Sequence, residues 1–195
     1  MPHVDPLPRS ELPQFEDRFA RYDEIRGFLP NSILTMARRP NIAEAFMALN
    51  QAVLYEGTVS EDLKMMIALM TSMATGCLYC QGHMANLSHV YDVPDEKIAA
   101  VWDCEASDLF TEAERAALVL AREAAGVPNT ASAAHFDALK EHFNEAEVVE
   151  IVATIALFGY LNRWNDTMAT DMEAHPARVA KAAMPDWDGG KHGMG

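Results

Sequence analysis

Residues 61–91 constrain the fold more than any other stretch. The segment "EDLKMMIALMTSMAT" (61–75) is apolar nearly all round from Met65 to Met73. Such a pattern belongs to a central, buried helix. Ser60 stands where an N-cap belongs, and Gly76 breaks the helix. A second helix follows at once, carries "CLYCQGH" (77–83) and runs to about Tyr91.

The flanking sequence continues in helices. "GFLPNSILTMARRP" (27–40) reads as a short apolar helix that must stop by Pro40, and 41–57 as a helix ending at Gly57. Asp92 and Pro94 open a short helix over 94–101. Thr111 and Glu114 form a capping box for 112–125, helix 132–143 follows, and Asn144 with Glu147 caps a long apolar helix over 145–170. There is no alternating strand pattern and no Asn-Gly hairpin, so the expected fold is all-α. Residues 1–26, rich in proline and charge, read as an arm laid over the surface or onto a partner subunit. Residues 27–175 form the expected domain, and 176–195 a loosely held extension with a glycine-rich end.

Charge and hydropathy narrow the function. The chain has 195 residues and a formal net charge of −14, which repels phosphate backbones and excludes nucleic acid as an expected partner. Its longest apolar run, 151–161, is too short to cross a bilayer, so no membrane role is expected. The N-terminus has no basic start and no apolar h-region, and a cytoplasmic protein is expected. The apolar helices 148–161 and 65–73 predict a homo-oligomer.

Three cysteines, Cys77, Cys80 and Cys104, are too few for a disulfide framework. On a helix, Cys77 and Cys80 lie one turn apart and roughly 60° around the axis from each other, so a disulfide can form after modest adjustment. Gly76 puts the pair at a helix start, where thiolate is favoured, and His83 can take the Cys80 proton. Three readings compete at this point: small core thiols beside a satisfied histidine, a zinc clip, and a redox dithiol. Cys77, Cys80 and His83 supply three candidate ligands, and no second CxxC or HxxxH closes a tetrahedron, so neither zinc nor any other cofactor is expected.

The stretch from "FLPNSILTMARRPNIAEAF" through "GCLYCQGHMANL" resembles the carboxymuconolactone decarboxylase / alkylhydroperoxidase D superfamily, and in particular its peroxidase-related branch. The likeness runs over about 27–170 and includes "LNRWNDTMA". It implies an AhpD-like helical bundle that oligomerises, with the CxxC at the start of a central helix. It also implies a thiol peroxidase in which Cys80 attacks a small hydroperoxide, Cys77 resolves the product as a disulfide, and a dithiol or thioredoxin-like donor restores the thiols. The family's relay glutamate falls on Met65, and its usual relay histidine on Met84, one residue past His83. Glu61, one turn back, and Asp166, on the late helix, are the candidate substitutes. Two alternatives stand beside this reading: a carboxymuconolactone decarboxylase-type lyase, which needs no dithiol, and a non-catalytic oligomeric binding protein with buried thiols.

Overall fold

The computed structural model describes residues 1–193, and among them it contains ten α-helices, short 3-10 turns and no strand. The helices are α1 (Glu16–Arg26), α2 (Asn31–Met36), α3 (Pro40–Leu54), α4 (Glu61–Thr75) and α5 (Leu78–Val90). They continue as α6 (Asp95–Ala99), α7 (Glu112–Ala125), α8 (Ala133–Lys140), α9 (Glu145–Met168) and α10 (Ala174–Ala183). Helix α4 occupies the centre and packs against α5, α7 and α9. Its residues Leu63 to Ser72 are all buried, as its all-round apolar pattern requires.

The α4–α5 hairpin is built by two residues. Gly76 ends α4 at φ 76°, a left-handed conformation that glycine adopts without steric cost. Cys77 is then the extended N-cap of α5. The capping boxes at Thr111 and Asn144 are both formed. Ser60 occupies the N-cap position of α4, but its hydroxyl makes no capping hydrogen bond.

Both termini differ from the sequence expectation. Within 1–26, residues 16–26 form α1, and Leu12, Phe15 and Phe19 are buried in this chain's own core. At the other end, α10 packs on α5, and Trp187 donates its indole N–H to the Leu78 carbonyl. The tail is therefore fixed over the cysteine helix through Gly193, while Met194 and Gly195 lie outside the described residues. The tail lies close over Gly82, where an added Cβ would stand 2.7 Å from Met172 Cε and 2.9 Å from Trp187 Cζ2. The glycine inside "CQGH" is what lets the tail lie down there.

Candidate active site

Helix α5 presents Cys80 and His83 to one narrow cavity of about 30 Å³, walled by Tyr22, Ile33, Phe46, Tyr79, Phe158 and Leu161 among others. That space holds about one or two water-sized groups. Cys77 and Cys80 are both free thiols and both buried, at 1% and 2% exposure. Cys80 lines the cavity and Cys77 does not.

The two thiols are electrostatically unequal. A hydrogen bond from Cys80 pulls the Cys77 thiol below its ordinary value; burial opposes this, and Lys191 assists it. Burial pushes the Cys80 thiol well up, the neighbouring Cys77 adds to this, and only a hydrogen bond from Asn165 works the other way. Asn165 Nδ2 lies 3.5 Å from Cys80 Sγ, and Thr170 Oγ1 holds the amide oxygen at 3.0 Å. In the resting pair the surroundings favour negative charge on Cys77, at the positive end of α5, so Cys80 needs a base to become the nucleophile.

His83 finds its carboxylate in a place the sequence reading missed. His83 Nε2 is 2.7 Å from Glu173 Oε2, and the partner is neither Glu61 nor Asp166. Glu61 is exposed at the far end of α4, roughly 21 Å along the axis from the cysteine end. Asp166 turns to the tail and pairs with Lys191 at 2.8 Å. It is its neighbour Asn165 that reaches Cys80. Met65, at the family's glutamate position, is wholly buried in α4.

Glu173 occupies the N-cap position of α10, and its carboxylate, which makes no capping hydrogen bond, is tightly held from elsewhere. Its carboxylate accepts from the Asn31 backbone N–H at 2.5 Å and from the Tyr79 hydroxyl at 3.1 Å. Burial alone would raise its carboxyl; the His83 charge, the His83 hydrogen bond and the Asn31 N–H outweigh that and hold it below the usual range. Burial pushes the Tyr79 hydroxyl well up, with Glu173 adding to this, so it stays a donor. The imidazole stacks on Tyr79 at 4.3 Å and meets the edge of Phe28 at 5.5 Å. With Nε2 engaged by Glu173, Nδ1 is the ring nitrogen left to exchange a proton. The segment "MEAHPARVAKAA" carried a signal for this element, because proline in a first turn followed by Ala177, Ala180 and Ala183 is a helix start with one apolar side.

Among the described residues no cluster of three or more His, Cys, Asp or Glu side chains could hold a metal ion. Nor is any described helix long and apolar enough to cross a membrane.

The fold recurs in known proteins. No curated protein matches the chain significantly. Among solved structures, the debrominase Bmp8 is 38% identical, with a TM-score of 0.86 over 92% of this chain and 97% of that one. A cysteine-to-alanine variant of Bmp8 in complex with 2,3,4-tribromopyrrole is 37% identical, with a TM-score of 0.87 over 92% and 96%. An alkylhydroperoxidase AhpD core, a peroxidase-related protein from Ralstonia eutropha JMP134, is 27% identical, with a TM-score of 0.75 over 87% and 88%. The sequence profile of the carboxymuconolactone decarboxylase family matches residues 40–123, which run from α3 through the cysteine hairpin into α7. With the helical bundle, the cysteine hairpin and a relative of this identity in agreement, the chain belongs to the carboxymuconolactone decarboxylase family.

Proposed function

We propose that the chain is a dithiol reductase that passes two electrons from Cys77 and Cys80 to a small electrophile, with a hydroperoxide as its substrate. The observation that carries this is the buried pair whose inner member, Cys80, opens into an apolar cavity shared with the Glu173-held His83. A lyase would need the carboxylate and imidazole but neither a thiol at the cavity nor a second thiol behind it.

The chemistry follows from the positions. Cys80 is the attacking sulfur because it alone of the pair lines the cavity. His83 Nδ1 takes its proton, and Glu173 stabilises the imidazolium. The Cys80 thiolate attacks the terminal peroxide oxygen, the S–O bond forms and the O–O bond breaks. The leaving alkoxide takes the proton back from His83 and departs as an alcohol. Cys77, already biased towards thiolate, then attacks the Cys80 sulfenic acid; the S–S bond forms and water leaves. A dithiol or thioredoxin-like donor reduces the disulfide.

A second reading is favoured by the 38% identity to a debrominase and by the tribromopyrrole complex of its variant. The same two electrons and a proton would replace a ring bromine by hydrogen and release bromide. The cavity at Cys80, about 30 Å³, is too small for a brominated ring unless its aromatic wall moves.

One experiment tests both. The protein is incubated with dithiothreitol and either cumene hydroperoxide or 2,3,4-tribromopyrrole, and peroxide loss or bromide release is followed. Cys80→Ser should abolish turnover. Cys77→Ser, treated with peroxide alone, should show a trapped sulfenic acid at Cys80 by mass spectrometry, where the parent protein shows a loss of two hydrogens. Bromide release without peroxide loss would select the second reading. If both cysteines stay reduced and neither substrate is consumed, the site is structural.

A further inference from the structure

Arg26 is a buried cation with no carboxylate paired to it among the described residues. It is 7% exposed, at the end of α1. Its Nη2 donates to the Tyr55 hydroxyl at 3.1 Å, its guanidinium lies 5.4 Å from the Tyr22 ring centre, and its Nε is buried with no hydrogen-bond partner. The ionisable groups that bear most on it are the tyrosines Tyr22, Tyr55 and Tyr79, with no carboxylate among them. A buried guanidinium left in this state is costly, and an unpaired buried donor calls for a ligand.

The position of Arg26 says where that ligand would sit. Arg26, Tyr22 and Asn50 line both the Cys80 cavity and an outer cleft of about 230 Å³. The outer cleft adds Arg18 and Arg21, both exposed on α1, with Arg21 lying 5.7 Å from the Tyr55 ring centre. Asp17 is its one acidic side chain. In a chain of net charge −14, three arginines converge on the approach to the reactive sulfur.

We propose that the outer cleft holds the anionic end of the substrate, a small organic carboxylate or comparably acidic anion, with Arg26 as its buried ligand and Arg18 and Arg21 at the mouth. The electrophilic end then reaches Cys80 through the shared wall. This rests on Cys80 being the reacting atom. It adds a charge preference that a narrow apolar cavity alone would lack. Guanidinium is suited to the task because it presents a rigid fork of donors to a carboxylate.

The test compares two alkylating agents of nearly equal shape, iodoacetate and iodoacetamide. In each reaction the Cys80 thiolate displaces iodide and a thioether forms. Rate constants for Cys80 are read by peptide mass spectrometry, and their ratio is set against the ratio for glutathione at the same pH. The ratio should exceed that of glutathione by about tenfold or more, and should fall by a similar factor in Arg26→Gln. Added salt should reduce it, most of all in the part due to the exposed Arg18 and Arg21. Arg21→Gln, on an exposed site, covers the case in which Arg26→Gln does not fold, and should lower the ratio by a smaller factor. A second readout needs no cysteine chemistry: benzoate should raise the melting temperature more than benzamide. If Cys80 reacts with neither reagent but benzoate still stabilises selectively, the dithiol reading fails and the anion cleft stands. If Cys80 reacts with a ratio equal to that of glutathione and benzoate does no better than benzamide, the anion cleft is overturned while the dithiol reading survives.

Discussion

His83 is held on three sides, by the Glu173 carboxylate, the Tyr79 ring and the edge of Phe28. Only the histidine itself was legible in the sequence, one turn beyond Cys80. Glu173 lies ninety residues away and joins it through the packing of α10 on α5, which no local spacing encodes. Asn165 shows the same limit: a polar cluster at 162–166 could be noticed, but which member reaches Cys80 depends on the rotation of α9. Replacing Glu173 by Gln keeps a hydrogen-bond acceptor and removes the charge. The expected result is a loss of about 10²-fold in peroxide-driven disulfide formation, measured by stopped flow. A pH experiment tests how strongly the carboxylate is also coupled to the fold. The Glu173 carboxyl is held below its unfolded value of 4.5, so its contribution to stability is present above that value. It is lost as pH falls through the lower, folded value. Melting temperature in the parent should therefore drop over that acid range, and the Glu173→Gln curve should be flatter there. Equal slopes in the two proteins would show that the carboxylate is not coupled to the fold.

At the scale of elements, α4 and α5 were legible and the two termini were not. Helix α4 has an unmistakable all-round apolar run and a glycine stop, and it spans 61–75 as expected. Helix α1 has a mostly polar sequence, and its burial rests on Phe19 and Arg26, too few positions to stand out as a stripe. The tail looked loose because of its glycines, yet it is fixed by Trp187, by the Lys181 ammonium on the Trp187 and Pro185 carbonyls, and by buried His192. Its contact with α5 depends on the missing side chain at Gly82. Gly82→Ala should therefore cost about 1–3 kcal/mol in urea unfolding, through overpacking against Met172 and Trp187. Because the displaced tail carries Lys191, which favours the Cys77 thiolate, the same change should also slow resolution of the Cys80 sulfenic acid. A Gly82→Ala protein as stable as the parent would mean that the tail has room to shift.

At the scale of the whole molecule, the sequence placed two apolar helices at the subunit interface, and the structure removes one of them. Met65 to Met70 are buried within the chain by its own helices, so α4 has no apolar face left to share. Helix α9 does. Val149, Val152 and Tyr160 are exposed on it at 67%, 39% and 41%, and Ile42 and Leu49 are exposed at 38% and 51% on α3, which packs beside it. The stacking of Phe46 on Tyr160 at 5.9 Å, and of Tyr160 near Trp164 at 6.2 Å, carries the apolar surface across the two helices. Trp164 Nε1 is buried there without a hydrogen-bond partner among the described residues. A row of this kind on a strongly acidic protein is best covered by a second copy, because apolar contact between like subunits does not require opposite charges. We therefore expect a homo-oligomer joined through α3 and α9. Light scattering at micromolar concentration should give a mass that is a multiple of 21.5 kDa, and the pair Leu49→Asp and Val152→Asp should return it to a single chain. Both positions are exposed at the surface of the folded chain, so their substitution should leave its helical circular dichroism unchanged. A monodisperse parent protein near 21.5 kDa would sink the idea and leave the stripe as ordinary exposed surface.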